Sequence, residues 1–217
     1  MQAGTDPDAN TESKPPSIEW PDKELSALAN RLKTAKSISA DVDKDVVLSL
    51  MGKTKNYKGS LKAKGNLFLM DLQGEERTVF TVNGTTLWVT SYPPADIETD
   101  IQVLRVNLNK DSGTDRFLFD VLAGTLDWKK HFELTEVSDQ NQSDVRISMK
   151  PKAFYQDFVR LDLNLKKETG EMTGLTYWDE LDNETAYRFK NFVYDAELKN
   201  EIFSFKQPPN SKLTVAP

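Results

Sequence analysis

From Ile38 to Val193 the chain is written mostly with a period of two. Ile38, Ala40 and Val42, then Val46, Leu48 and Leu50, alternate with polar residues, as a half-buried strand requires. The alternation returns at Tyr57–Ala63, Leu67–Leu72, Thr78–Val82 and Thr85–Ser91. Asn83-Gly84, between the last two, is a tight-turn pair and predicts a hairpin. A further strand runs through Ile101–Val103 and Val106–Leu108, with a slip near Leu104 that leaves room for a bulge. Lys130–Val137, Asp144–Lys150, Asp157–Leu165, Glu171–Asp179 and Glu184–Val193 complete eleven predicted strands. Short links such as Gln73-Gly74-Glu75 and Lys167-Glu168-Thr169-Gly170 make successive strands antiparallel neighbours.

Two stretches break this period. Leu25, Leu28, Ala29, Leu32 and Ala35 recur at i, i+3, i+4, i+7 and i+10, one apolar stripe of a helix. Pro21 stands at its start, suited to a first turn. Lys33 and Lys36 sit near its end, where cations favour the helix dipole. Thr114–Gly124 predicts a second helix. Thr114 and Asp115 can cap it, Phe117, Leu118, Val121 and Leu122 make its apolar face, and Gly124 ends it. A strand through Arg116–Leu122 competes, because that run is short and apolar; the helix is preferred. Pro93–Asp100 reads as a loop.

A sheet of eleven strands curls rather than staying flat, and its apolar face needs a cover. The two helices are the available cover. The expected fold is therefore mainly β: an incomplete antiparallel β-barrel of about eleven strands, with a short α-helical lid over an apolar cavity. Large barrels of this kind often hold a ligand. One domain over residues 22–217 is expected. Residues 1–21 hold four prolines and only Ile18 and Trp20 as large apolar residues, so they are expected to form a flexible tail.

Composition narrows the chemistry. The 217 residues contain no Cys and one His, His131. Disulfides, thiol catalysis and iron–sulfur or thiolate-zinc sites are excluded, and no metal or cofactor is expected. The 28 basic against 34 acidic side chains give a net charge of −6, which lacks the basic footprint of a nucleic-acid binder. The tail's four acids against one base carry half of it. No apolar run approaches the ~18 residues of a membrane span. No Gly-rich phosphate loop, G-x-S-x-G or H-E-x-x-H occurs. Acid pairs such as Asp179/Glu180 are expected by chance among so many, and His131 beside Lys129 and Lys130 reads as a surface imidazole. No catalytic residue is assigned, and the chain reads as a binder rather than an enzyme. Phe68, Phe80, Trp88, Phe117, Trp128, Phe132, Phe154, Phe158, Trp178 and Phe189 are spread along nearly every element. Each alone suits an ordinary core; together, on a curled sheet, they suit a cavity for a long apolar ligand. Met1 before Gln2-Ala3-Gly4-Thr5-Asp6 looks like a start codon set before a mature sequence, and removal of a secretion signal would account for this and for the lack of Cys.

Particular residues then resemble one family, the periplasmic lipoprotein carrier LolA. Thr81–Trp88 resembles its S-D-G-K-T-L-W hairpin, and Gly59-Ser60-Leu61 with Asn66-Leu67-Phe68 its segment upstream. Phe117-Leu118-Phe119 through Asp127-Trp128 resembles the central helix and following link. Lys150-Pro151-Lys152, Asp179 with Asn183-Glu184-Thr185, and Phe203–Pro209 resemble later strand exits and the F-x-F-x-P-P ending. The resemblance spans about Leu25 to Val215.

It implies a monomeric periplasmic carrier that takes acylated lipoproteins from an inner-membrane ABC exporter and hands them to an outer-membrane receptor. The lipid-binding cavity would then include Met70, Phe80, Trp88, Phe117, Leu118, Val121 and Leu122, and Phe68 would match a position that contacts the exporter. The family's Arg-Pro pair, whose Arg holds the closed lid, is missing. Lys64-Gly65 occupies that stretch, so Lys64 is the candidate for lid control, without the planar fork of Arg. Two other readings keep the fold: a lipid-anchored outer-membrane receptor resembling LolB, and a periplasmic lipid-sensing regulatory domain. Against the receptor, the Gln73–Glu76 turn is short and polar.

Overall fold

A computed structural model describes residues 18–94, 96–97, 99–109, 113–152, 155 and 157–216, with Asp115 as backbone only. Most of the segment expected to be a tail, and Phe154, lie outside the described residues. The strands are β1 (Ile38–Leu48), β2 (Lys53–Lys64), β3 (Leu67–Gln73), β4 (Arg77–Asn83), β5 (Thr86–Tyr92), β6 (Ile101–Asn107), β7 (Phe132–Asp139), β8 (Asp144–Pro151), β9 (Arg160–Lys166), β10 (Met172–Trp178), β11 (Glu184–Tyr194) and β12 (Ser211–Val215). The helices are α1 (Asp22–Thr34), α2 (Thr114–Leu122) and α3 (Trp128–His131).

All twelve strands form one open sheet, in the order β12-β6-β5-β4-β3-β2-β1-β11-β10-β9-β8-β7. β6 and β7 follow each other along the chain but lie far apart in the sheet, β7 at one edge and β6 beside β12, which forms the other. The link between them must cross the open side, and it carries α2 with it. This topology is why α2 can serve as a lid.

The register assigns the faces. Ala40, Leu61, Met70, Phe80 and Val89 pair in one row across β1 to β5. Ile147, Leu163, Leu175 and Tyr187 make another across β8 to β11. These inward rows join Leu25, Leu28 and Leu32 of α1 and the apolar face of α2 in a single core. α1 seats closely on its surroundings. Gly170, in the β9–β10 turn, has φ +64°, and a Cβ there would stand 2.6 Å from the Ala27 Cβ. Arg31 Nε donates to the Thr169 carbonyl at 3.2 Å, and its guanidinium lies 5.0 Å from the Tyr194 ring centroid. Trp20 packs against the same core.

The convex face is covered by the chain after β11. A 3₁₀ turn at Asn200–Phe203 packs on β3 and β4, with Phe203 buried. Phe205 stacks on Trp88 at 5.0 Å. The segment ends as β12, parallel to β6.

Several expectations need correction. β12 is a twelfth strand and the sheet's one parallel pairing; Ser211–Val215 is short, exposed and reached by a long crossover, so no local turn announces it. β6 pairs with β5 without a break, so there is no bulge at Leu104. Lys130 and His131 are not strand but the end of α3, because the Asp127 carboxylate accepts the Lys130 N–H at 3.1 Å and starts a helical turn. Asp157 is not strand either: its carboxylate accepts the Thr114 N–H at 2.8 Å. It caps α2 from outside, where capping by Thr114 and Asp115 was expected. The hairpin's central residues are Gly84 and Thr85, with Gly84 at φ +69°.

Candidate functional site

The inside of the lid is aromatic. Phe117, fully buried, lies 5.0 Å from Phe158, 5.2 Å from Tyr155, 5.7 Å from Phe132 and 6.4 Å from Trp128, ring centroid to centroid. Tilted and edge-on contacts of this kind add to area burial. Leu118, Val121 and Leu122 fill the remaining space with Met70, Phe68 and Phe80. The spacing of these four α2 residues puts all of them on one helix face, which is why the local sequence already implied a buried stripe.

The structure therefore brings together six of the seven expected cavity residues, with Phe68 beside them. Their side chains occupy the space where a cavity was expected. An apolar opening persists between α1 and α2, a cleft of about 340 Å³ lined by Leu32, Ala35, Ile38, Ala63, Phe119 and Leu122.

Trp88 is not part of this group. It pairs with Thr81 while Phe80 pairs with Val89, so it stands on the convex face under Phe205. Lys64 lines that same cleft beside Phe119 and Leu122 of the lid. Its ammonium donates to the Leu198 carbonyl at 2.8 Å, holding the C-terminal segment.

Polar groups do hold the lid, through residues that were not expected. Asp120, on α2 and buried, accepts from Arg116 Nε at 2.8 Å and from the Tyr155 hydroxyl at 2.8 Å through the same oxygen. Arg116 also donates to the Leu108 carbonyl, and Thr125 Oγ1 donates to the Asp120 carbonyl at 3.3 Å. Burial and the adjacent carboxylate push the Tyr155 hydroxyl well above its ordinary pKa. The network thus ties one lid helix to the β8–β9 loop and to the strand exit before it. Beside it runs a polar groove of about 580 Å³, including Lys130, His131 and Lys152. His131 is half-buried, its ring centroid 5.4 Å from that of Tyr155, and burial lowers its pKa, helped by Lys130. Arg116 and Asp120 lie at i and i+4 of the predicted helix, a legible pairing; nothing local pointed to Tyr155 as its partner.

At one rim, two loops carry exposed apolar side chains. Leu50 is 81% exposed, Met51 72% and Leu181 59%. Their loops are tied together by the Ser49 N–H donating to Asn183 Oδ1 at 3.0 Å and the Ser49 hydroxyl to the Asp182 carbonyl. Among the described residues, no group of three or more His, Asp or Glu could hold a metal ion, and no helix is long and apolar enough to cross a membrane.

A family model described as outer membrane lipoprotein carrier protein LolA matches residues 33–206. An outer-membrane lipoprotein carrier protein from Haemophilus ducreyi is 25% identical over 185 residues, 85% of this chain and 81% of that protein. Among solved structures, an uncharacterized conserved protein from Thermus thermophilus superposes with a TM-score of 0.49 at 10% identity, covering 89% of this chain and 98% of its own. A LolA superfamily protein from Nitrosomonas europaea gives 0.40 at 8% identity, covering 87% and 99%.

Proposed function

The chain belongs to the outer membrane lipoprotein carrier family LolA, and from that premise we propose that it is a periplasmic, non-catalytic carrier of acylated lipoproteins. On this reading it receives them from an inner-membrane ABC exporter and delivers them to an outer-membrane receptor, working as a monomer. One observation carries the reading. α2 lays Phe117, Leu118, Val121 and Leu122 onto an aromatic trough whose sheet never closes, so moving α2 aside would open a groove fit for an acyl chain.

The energetics suit transfer rather than storage. Burial of acyl chain gains about 0.8 kcal/mol per CH₂. A site gaining all of that over a long chain would not release it. Opening this one sacrifices the Phe117 contacts and the Asp120 network, which offsets part of the gain and keeps binding reversible.

The test is transfer: spheroplasts carrying a newly made lipoprotein are incubated with the purified chain, and the soluble fraction is assayed for it. Release by the parent chain and its loss with Phe117→Asp supports the carrier; no release despite retained folding overturns it. The exposed Leu50 and Met51 favour a second reading, an anchored receptor with an apolar corner. A receptor would accept lipoprotein from a loaded carrier without releasing any from spheroplasts.

A further inference from the structure

The concave face changes character toward the corner between β1 and β2. Val42 is buried, but the next inward position of β1 is Lys44, followed by half-buried Val46. On β2, Tyr57 pairs with Lys44 and Lys55 with Val46. On β11, Tyr187 and Thr185 pair with the same two residues. Lys44 and Lys55 are thus diagonal neighbours on one inward face, close enough for long side chains to meet. The Lys44 ammonium lies 5.7 Å from the Tyr57 ring centroid and 5.3 Å from that of Tyr187, within cation–π range.

Charge is matched on the other side of the same strands. Asp43 pairs with Lys190 at 2.7 Å and Asp45 with Arg188 at 2.5 Å. At the inner corner, Glu75 is engaged by Lys53 at 3.3 Å and Glu76 by the Tyr57 hydroxyl at 3.5 Å. Among the described residues, Lys44 and Lys55 have neither an ion-pair nor a hydrogen-bond partner. Lys44 and Lys55 put two like charges on one half-buried face, and an oxyanion between them would be drawn by both. Along this face the order is exposed Leu50 and Met51, then the two lysines, then the buried floor at Val42 and Phe189. A ligand matching that order is apolar with one anionic group.

We propose that Lys44 and Lys55 bind the oxyanion of an amphiphile, a lipid phosphate or carboxylate, whose chain runs toward Val42 and Phe189. The inference rests on the carrier reading for its apolar floor, and the lysine pair itself is independent of it. The full chain, stripped of lipid, is titrated calorimetrically with short-chain phosphatidylglycerol, the matching phosphatidylcholine, and inorganic phosphate. The anionic lipid should bind about tenfold more tightly than the zwitterionic one, the worth of one charge-assisted contact, and the advantage should shrink with added salt. Lys44→Met with Lys55→Met should abolish the advantage while keeping phosphatidylcholine binding. Lys58→Met with Lys62→Met, on the outer face of β2, makes the same charge change and should leave it intact. Equal affinity for both lipids, or an advantage that survives the Lys44/Lys55 change, overturns the proposal. So does inorganic phosphate binding as tightly as the lipid. Failure of both lipids to bind the parent chain overturns the carrier reading instead.

Discussion

The Tyr155 hydroxyl meets the buried carboxylate of Asp120 at 2.8 Å, on the oxygen that also accepts Arg116. This pair joins the lid helix to the β8–β9 loop. Tyr155→Phe removes one hydrogen bond to a buried charge, so it should lower unfolding stability by about 1.5–3 kcal/mol, read from urea melts. It should also speed the release of a bound acyl probe. Because burial and Asp120 raise the Tyr155 pKa, its contribution is complete below the ordinary tyrosine value and is lost as pH rises toward the folded one. The stability of the parent should therefore fall more steeply above about pH 10 than that of Tyr155→Phe. Matching slopes would mean that Tyr155 does not hold the lid.

Phe117 touches four aromatic rings from the lid's centre. Phe117→Ala should destabilise by about 3–5 kcal/mol, and the cavity left should raise the on-rate for an acyl probe. An unchanged denaturation midpoint would show that α2 packs elsewhere in solution.

Gly170 and Gly65 separate close approach from backbone conformation. Both have positive φ, +64° and +59°, but a Cβ at Gly65 meets nothing within 4 Å. Gly65→Ala should cost only the left-handed penalty, about 1–2 kcal/mol. Gly170→Ala should cost clearly more, because Ala27 and the Leu28 backbone must shift with α1. Equal losses would contradict the seating of α1 on that turn.

Trp88 and Phe205 should be coupled to each other and uncoupled from cargo. A double-mutant cycle with Ala should give about 0.5–1.5 kcal/mol of interaction. Neither change should alter acyl-probe affinity, and Lys64→Met should expose the segment after Leu198 to protease without opening the lid. Weakened probe binding by Trp88→Ala would return that ring to the cavity.

Asp179 folds the β10–β11 turn, accepting the N–H groups of Leu181 at 2.8 Å and Asn183 at 2.9 Å. Burial works to raise its pKa, but these bonds and the Asn183 side chain outweigh it and the net shift is downward. Its stabilisation is thus present above the ordinary carboxylate value and lost as pH falls through the folded one. Asp179→Asn should flatten the acid limb of the stability profile; an unaltered limb would refute the assignment.

The alternation of apolar residues determined by itself the eleven strands, and the stripe Phe117, Leu118, Val121 and Leu122 determined the lid helix, because these periods follow from backbone geometry alone. The face of Trp88 was also legible: once the hairpin turns on two residues, Trp88 and Phe80 must point opposite ways. Tertiary structure decided the rest. It placed β6 and β7 far apart across the sheet, so that their link crosses the trough. It brought Tyr155 to Asp120, and it tied the Lys64 ammonium to the Leu198 carbonyl. It also left Lys44 and Lys55 unmatched on an inward face, since partners distant in sequence are chosen by how the sheet curls, which no local pattern records.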